Sequence, residues 1–555
     1  MRRKTLKMLA LVITTVMTLT ILSACSGTRK ESTDKSASTT ANTQTTIQEN
    51  DPYAPKEDKV YEISYVTTGT SAVEAEKSKI LKSYNDTFNV KLKPIFFEPA
   101  QFEELLNLTL ASNDIPDVWI AQNISSLWRY QEQGLLSEVK LDIVEKYAPD
   151  LFKCIDRDAK DAWQTSKYKG KNYGIPLINA SYMFRDAIAW RTDWLKNVGI
   201  DKIPETIEEW ENALLKFRND DPDKNDKKDT YGCSTSIFAP VSGAFGTQYS
   251  MWWSGSWVEE DEQAVYTSVS PKMKDTLALL NKWYKMEIID PEFVTGENKG
   301  GYWAVSTDFV NGRIGVSAMG YYYHWYKEKK ASNGEVIVNP GSTAAEFTKN
   351  YPNGTFEFGN PPIGSDGKSR GMMSLGIVPG NTYVFSKNLE EEPDKFGKIL
   401  QMFNWPQESF ENHLFAFMGI EGEQYTVRKI DNYTTYVQKL ANEYTEEEKK
   451  LYSGTGQFFL QNDIENYRKQ YEILYDTAVK NGFNDYKLSH ITNRLFIPSQ
   501  GKLWADLNKM EVDAYVNIIT GKKPISYFDE FVANWKAAGG DQILKEANES
   551  FNNSK

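Results

Sequence analysis

Histidine and cysteine are both scarce, with three of each in 555 residues. So few cysteines exclude a disulfide scaffold and a Cys-rich zinc or iron–sulfur protein. His324, His413 and His490 stand far apart in sequence, which disfavours a His-rich metal site. A basic surplus is missing as well. Lys plus Arg number 64 against 76 Asp plus Glu, a net charge of −12. A surface of that sign disfavours nucleic acid as a partner, because such binding depends on neutralising phosphates with a basic patch. No Ser/His/Asp elbow, phosphate loop or zinc motif is present. What the chain does have is aromatic residues, 15 Trp, 31 Tyr and 27 Phe. With 40% hydrophobic and 25% charged residues it also has the material for sizeable cores, so a wholly disordered chain is excluded. At about 150 residues per domain its length suggests three to four domains.

The N-terminus reads as a leader. Arg2-Arg3-Lys4 is a positive region, and an apolar run follows from Met8 to Ala24, diluted by threonines. Its length lies between a signal segment and a membrane span, so hydropathy alone does not decide. Its ending does: Leu22-Ser23-Ala24-Cys25 resembles the bacterial lipobox, in which small residues precede a cysteine that is lipidated before cleavage. Cys25 would then be the mature N-terminus. The alternative is an uncleaved anchor helix with a chance cysteine. Removing residues 1–24 takes away Arg2, Arg3, Lys4 and Lys7 and no acid, which moves the net charge from −12 to −16. From Ser26 to about Asp51 the chain is polar with almost no apolar residue, too little to offset its ordering entropy. It reads as a flexible tether, spanning 25–57 with the anchor cysteine, that places a body outside the cytoplasm beside a membrane.

Val60 to Val66 alternates as a strand, Ser71 to Phe88 has helical spacing, and Val90 to Phe97 is a second strand that Pro94 pushes toward a sheet edge. Phe102 to Ala111 is a second helix, and Asp117-Val118-Trp119-Ile120 is a short strand covered on both faces. Alternating strands and helices predict a parallel, helix-covered α/β sheet, whose ligands bind beyond the carboxyl ends of the strands. That rule nominates Thr67, Thr68 and Gly69 after the first strand, and Gln122 and Asn123 after the third. The competing reading is that these are ordinary turn residues.

Further on, Thr206-Ile207-Glu208-Glu209 forms a capping box behind Pro204, and Ile207, Trp210, Leu214 and Phe217 follow at helical spacing. Asp220 to Asp229 then places five carboxylates at a helix C-terminus, where the helix dipole is already negative. A divalent cation would resolve this. Asp221, Asp223 and Asn225 stand at alternate positions like the first ligands of an EF-hand loop, with the Lys227 carbonyl and Asp229 next, and all are hard oxygen donors that favour calcium. Against it, Asp226 sits where that loop wants glycine, and Thr230 stands where a bidentate glutamate would be. A solvated charged turn is the alternative.

These residues, taken in order, resemble the lipid-anchored extracellular solute-binding proteins of bacterial ABC importers. The motifs are Leu22-Ser23-Ala24-Cys25, Ile115-Pro116-Asp117-Val118, Trp194 to Ile200, Pro204-Glu205-Thr206 with Glu209-Trp210, and Asp221 to Gly232. Ile288 to Glu292, Asn311 to Gly315 and Gly419 to Glu423 continue them. The long, oligosaccharide-binding branch is the nearest in pattern, and several of its members carry a structural calcium loop; here Lys224 and Asp226 replace its usual glycines and Thr230 its usual glutamate. The resemblance implies two α/β lobes with crossing hinge strands and a ligand cleft between them. By analogy the crossings fall near Ile175 to Asp186, Gly315 to Tyr321 and Met372 to Pro379. The first lobe would be 58–180 with 316–375, the second 181–315 with 376–555. The implied partners are an oligosaccharide, ABC permease subunits, and a membrane reached through the lipid anchor on the extracellular face.

A sugar cleft wants flat aromatic platforms beside hydrogen-bonding groups. Trp252 and Trp253, then Tyr321 and Tyr322 within Gly320 to Tyr326, sit in Gly- or Ser-rich surroundings, and Trp303 follows Gly300-Gly301. Trp163, Trp210 and Trp283 lie in amphipathic patterns and read as core. Arg370 is a candidate to grip hydroxyls or a carboxylate, and Glu421 to accept sugar hydroxyls or to hold its own turn. Cys154 and Cys233 either pair or are separate buried thiols. No bond is broken in this reading. The rival is an extracytoplasmic glycoside hydrolase or lyase, which would need two carboxylates about 5–9.5 Å apart across the scissile bond. A third reading is a surface adhesin or sensor partner that binds glycans without transport.

Overall fold

The computed structural model describes residues 51–554 apart from 69–72, 99–100, 113, 184–186, 250–254, 298–304, 372–377, 379, 440–442, 456–460 and 483–489. Cys25, the leader and residues 26–50 of the tether therefore lie outside the described residues; of residues 51–57, Asp51 accepts from the Tyr147 hydroxyl at 2.7 Å and Tyr53 meets Phe396 edge-on at 6.3 Å. Among those described, no helix is long and apolar enough to cross a membrane.

The chain begins as the alternation predicts, with strand β1 (Tyr61–Thr67), helix α1 (Lys79–Phe88), β2 (Val90–Phe96), α2 (Phe102–Ala111), β3 (Val118–Ala121) and α3 (Ile124–Glu132). β1 pairs in parallel with β2 and with β3. β2 is the edge strand, and Pro94 sits in it where a missing donor matters least. α1 starts later than its spacing suggests, because Ser78 caps it by accepting the Leu81 N–H. Two further strands complete the sheet. β4 (Gly174–Pro176) and the much later Thr382–Phe385 join so that the latter lies antiparallel between β3 and β4. Side chains then alternate between two helix-covered faces. Ile63, Tyr65 and Val118 pack on one, and Val66, Trp119 and Ala121 on the other.

A second sheet is built round β5 (Ile188–Arg191), with β6 (Val316–Ser317) and β7 (Phe356–Gly359) antiparallel on either side; Thr382–Phe385 is then β8. Ile188 and Trp190 face a core shared with the helices Ile207–Asn219, Pro271–Lys285, Gln500–Ile519 and Asp541–Ser554. Ala189 and Phe356 face the other way, in one cluster with Phe309, Phe347 and Trp325 that also includes the core of the first sheet.

Strand pairing distributes the later segments between the two sheets. Segment 316–375, read as first lobe, supplies β6 and β7 to the second sheet. Segment 376–555, read as second lobe, supplies β8 to the first, and only from Ile491 onward does it join the second core. The chain thus passes between the sheets after Pro176, again between Gly359 and Thr382, and again between Lys480 and Ile491. A two-residue strand such as Val316–Ser317 carries too little pattern to reveal its sheet; its partner β5, far earlier in the chain, decides it. Cys154 and Cys233 are free and buried in the first and second core respectively. Trp163, Trp210 and Trp283 are buried, as their patterns predict.

Candidate functional site

Where the chain leaves β4, side chains from three remote segments meet. Gln461 clamps the exit: its Nε2 donates to the Pro176 carbonyl at 3.0 Å and its Oε1 accepts the Ile178 N–H at 2.8 Å. The neighbouring Asn462 accepts the Ala180 N–H on its backbone at 2.7 Å, and its Nδ2 donates to Asn179 Oδ1 at 3.2 Å. Its own Oδ1 is buried with no hydrogen-bond donor among the described residues. A buried amide oxygen in that state is costly, and a ligand hydroxyl would relieve it.

Aromatic rings surround this junction. Tyr182 meets Tyr321 edge-on at 6.2 Å, Tyr321 lies 5.3 Å from Tyr323, and Tyr323 lies 4.3 Å from His324. Tyr321 is only 8% exposed, whereas Tyr182 and Tyr323 are half-buried. Gly341 permits the packing, since a Cβ there would fall 2.1 Å from the Tyr323 carbonyl oxygen. His324 Nδ1 lies 2.9 Å from Ser342 Oγ, and burial pushes its pKa down to about 4. It is therefore neutral near pH 7, and the junction offers flat faces and amides rather than charge. The aromatic run was visible in sequence; Asn179, Tyr182 and Asn462 were not singled out. Asn179-Ala180-Ser181-Tyr182, a polar stretch ending in an aromatic within the expected first crossing, is the signal by which two of them could have been found.

A groove opens at the carboxyl end of β3. Asn123 caps α3, its Oδ1 accepting the Ser126 N–H at 2.9 Å, so it is a cap; Gln122 beside it is exposed, and Thr68 after β1 is half-buried. Ile124, Trp128, Lys167 and Lys169 line one wall of a cavity of about 490 Å³, and Arg494 and Asn553 line the opposite wall. The first wall belongs to the first sheet's side, the second to the helices of the second core. Trp128 is fixed by three contacts: it stacks on Phe496 at 3.9 Å, meets Tyr168 edge-on at 4.8 Å, and donates Nε1–H to the Lys167 carbonyl at 2.9 Å. Arg494 donates to Asp161 at 2.9 Å.

The remaining candidates are scattered. Tyr322 is a core residue, 1% exposed, with its hydroxyl 3.0 Å from that of Tyr467. Arg370 donates to Asp366 at 2.7 Å and holds that carboxyl below its usual range. Its backbone carbonyl lies against Gly243, where a Cβ would come within 1.9 Å. Glu421 is exposed, and the turn beside it is tied by Gln424, whose Oε1 accepts the Ile420 N–H at 3.1 Å. Trp252, Trp253 and Trp303 lie outside the described residues.

The acidic loop follows the helix Ile207–Asn219, whose capping box is formed as its sequence predicts. Asp221, Lys224 and Asp226 all adopt positive φ, which lets the loop turn tightly without glycine. Asp221 spends its two oxygens on the backbone N–H groups of Asn225 and Asp226, both at 3.0 Å. Asn225 turns its amide nitrogen toward Asp223 at 2.9 Å and Asp229 at 3.3 Å. Asp223 Oδ1 is buried without a partner among the described residues, and burial, together with the neighbouring Asp221 and Asp229, raises the Asp223 pKa. Among the described residues no group of three or more His, Cys, Asp or Glu side chains converges as a metal site. The loop thus holds a carboxylate that lacks a counter-charge, and rotation of the Asn225 amide would bring a fourth side-chain oxygen to it.

Comparison with known proteins gives the following likenesses. No family model matches the chain. It is 23% identical over 502 residues to lipoprotein LipO of Bacillus subtilis, covering 87% of this chain and 90% of that one. It is 25% identical over 486 residues to the polygalacturonan/rhamnogalacturonan-binding protein YtcQ of the same organism, covering 86% and 89%. In fold it is similar to an ABC-transporter-associated solute-binding protein of Bifidobacterium longum infantis that binds HMO, with a TM-score of 0.62 at 14% identity over 89% of this chain and 99% of that one. The alginate-binding protein AlgQ2, in a structure without calcium ion, gives 0.59 at 17% identity over 89% and 98%. The fold is that of two-lobed solute-binding proteins, and the resemblance to the binding proteins of ABC importers holds along almost the whole chain.

Proposed function

We propose that the chain captures an oligosaccharide between its two lobes and passes it, chemically unchanged, to the permease subunits of an ABC importer. The observation that carries this is the placement of the Tyr182–Tyr321–Tyr323 rings and the unsatisfied Asn462 amide where the chain crosses between sheets. Sugars present apolar C–H faces and a rim of hydroxyls, which such a junction matches. Contacts to both lobes would favour the closed arrangement, with the three crossings absorbing the motion. The names of the relatives support the reading, one a lipoprotein and another a polygalacturonan/rhamnogalacturonan-binding protein. Lipidation at Cys25 would hold the body at the outer face of the membrane by several acyl chains, since one alone binds only marginally.

Thermal-shift screening against oligosaccharides from plant and microbial polysaccharides tests the reading, because a ligand raises the melting temperature by mass action. Tyr321→Ala is expected to weaken the responsive sugar about ten-fold, the worth of one aromatic contact. Calorimetry reads the affinity, and an unchanged value removes Tyr321 from the site. Shortened sugars recovered after incubation would move the protein to the hydrolase or lyase class instead.

In the acidic loop, Asp221, Asp223, Asn225, Asp229 and the Lys227 carbonyl would hold calcium, whose charge would compensate the buried Asp223 oxygen. Its role would be structural, pinning the end of the helix Ile207–Asn219. The mature protein is expected to melt at a lower temperature in chelator, and Asp223→Ala to lose that sensitivity. Equal sensitivity in the variant would place the cation elsewhere.

A further inference from the structure

We propose that Trp128 and Phe496, with Asp161 and Arg494, form a clasp between the lobes on the far side of the crossings from the aromatic junction, and that this clasp opposes closure over the junction. The proposal goes beyond the capture reading and rests on it only for the direction in which the lobes close.

Three observations carry it. The first is that the contact joins two separately anchored parts. Trp128 is fastened to the first lobe through the Lys167 carbonyl and Tyr168. Phe496 is fastened to the second: its N–H donates to Ser550 Oγ at 2.8 Å on the helix Asp541–Ser554, and its neighbours Leu495 and Ile497 belong to the second core. Ile491, just before it, donates its N–H to the Trp257 carbonyl at 2.8 Å. Across this boundary the Trp128 and Phe496 rings stack at 3.9 Å with 23° between their planes, and Arg494 donates to Asp161 at 2.9 Å.

The second is that the contact can part. Trp128 and Arg494 also line the cavity of about 490 Å³, so the walls touch at points and do not fuse into one packed core. Asp161 and Arg494 keep 71% and 42% of their side-chain surface exposed. One ring stack and one exposed ion pair are too weak to weld two lobes together and strong enough to bias their equilibrium.

The third is side. Trp128 and Tyr168 pack on the cluster of Val66, Trp119 and Ala121, against one face of the first sheet. Ile178 and Met183, which flank Asn179 and Tyr182 of the junction, belong to the cluster that holds Ile63, Tyr65 and Val118 of the other face. The first crossing leaves from the edge strand β4, where Tyr173, just before the strand, belongs to the former cluster and Ile175 to the latter. A rigid-body rotation about the crossings that brings the lobes together on the junction side draws them apart on the clasp side. The stack then has to break as the lobes close, and its worth is subtracted from the apparent affinity for whatever the closed form holds.

The test compares the mature parent chain with two variants. Phe496→Ala/Asp161→Arg removes one ring and sets two cations face to face. Asp161→Arg/Arg494→Asp rebuilds the ion pair in reverse and keeps the stack. Small-angle X-ray scattering reads the lobe separation of each chain alone. The first variant is expected to have a smaller radius of gyration than the parent, and the second to match the parent. Asp161→Arg by itself, at an exposed position, should move the radius in the same direction and serves if the double variant does not fold. Calorimetry with maltotriose, xylotriose and mannotriose adds a second reading: any triose that binds the parent should bind the first variant about ten-fold more tightly, the worth of the lost stack. An unchanged or larger radius, or weaker binding, overturns the clasp and leaves saccharide capture intact. If no triose binds the parent, the radius alone decides the clasp.

Discussion

Replacing Trp190 by alanine is expected to destabilise the protein by about 4 kcal/mol, within the range for removing a fully buried indole. Trp190 occupies β5, the central strand of the second sheet, and is 0% exposed. Its ring meets Trp210 edge-on at 4.8 Å and Phe217 at 6.2 Å. It also lies so close to Gly359 that a Cβ there would come within 2.9 Å of its Cδ1. Backbone on that side cannot collapse into the space left behind, so the lost contacts are not recovered. Trp190→Phe should cost far less. The indole N–H has no acceptor among the described residues, and removing it deletes an unsatisfied donor along with some packing. Urea unfolding of the three proteins, read at the first transition because a two-lobed chain need not unfold in one step, checks the comparison. A loss below about 1 kcal/mol in Trp190→Ala would contradict the packing described for this sheet.

A second large effect concerns pH. Glu511, fully buried on the helix Gln500–Ile519, accepts hydrogen bonds from Tyr266 at 2.8 Å and Ser268 at 2.7 Å. Burial pushes its carboxyl up to about 7 from an ordinary value of 4.5. The folded protein therefore binds more protons than the unfolded chain between those values, and the group's contribution to stability is lost as pH rises through that window. The deficit is complete above pH 7 and amounts to about 3 kcal/mol. Glu297, whose carboxylate accepts from Ser317 at 2.8 Å and from the Ser236 N–H at 3.0 Å, is also pushed up to about 7 by burial and acts in the same direction. His324 and His413 are pushed down to about 4 by burial, so their contribution is lost as pH falls through about 6.5 toward 4. The two pairs oppose each other in mildly acidic solution, and the whole-protein profile hides both.

Glu511→Gln separates them. Glutamine does not ionise, and one amide oxygen still accepts from a hydroxyl. Relative to the parent chain, the variant should gain about 2.5 kcal/mol between pH 5 and pH 8, whatever its offset at pH 5. Denaturant unfolding at the two pH values measures this difference of differences. A constant offset would show that Glu511 titrates as an ordinary carboxyl and is not enclosed as the geometry indicates.

Legibility in the sequence followed the range of the interactions. The parallel start of the first sheet, the helix Phe102–Ala111, the capping box at Thr206 and Glu209, and the edge position of Pro94 were all readable, because each is fixed by residues a few places apart. The aromatic run at Tyr321 was readable as a cluster, but not which rings face inward. Tyr322 is core, held by Tyr467, and Tyr321 belongs to the junction. Nothing in Lys167-Tyr168-Lys169 announced a cavity, since its other lining residues include Arg494 and Asn553 near the other end of the chain.

By itself, then, the sequence determined the chain's composition-level class, its local α/β alternation, its acidic loop and its likeness to two-lobed binding proteins. Only the tertiary structure decided which sheet takes Val316–Ser317, Phe356–Gly359 and Thr382–Phe385, and which side chains meet at the crossings. The physical reason is that capping, spacing and turn chemistry act over one or two turns of chain. Strand pairing and cavity walls instead depend on which distant segments bury the most apolar surface together.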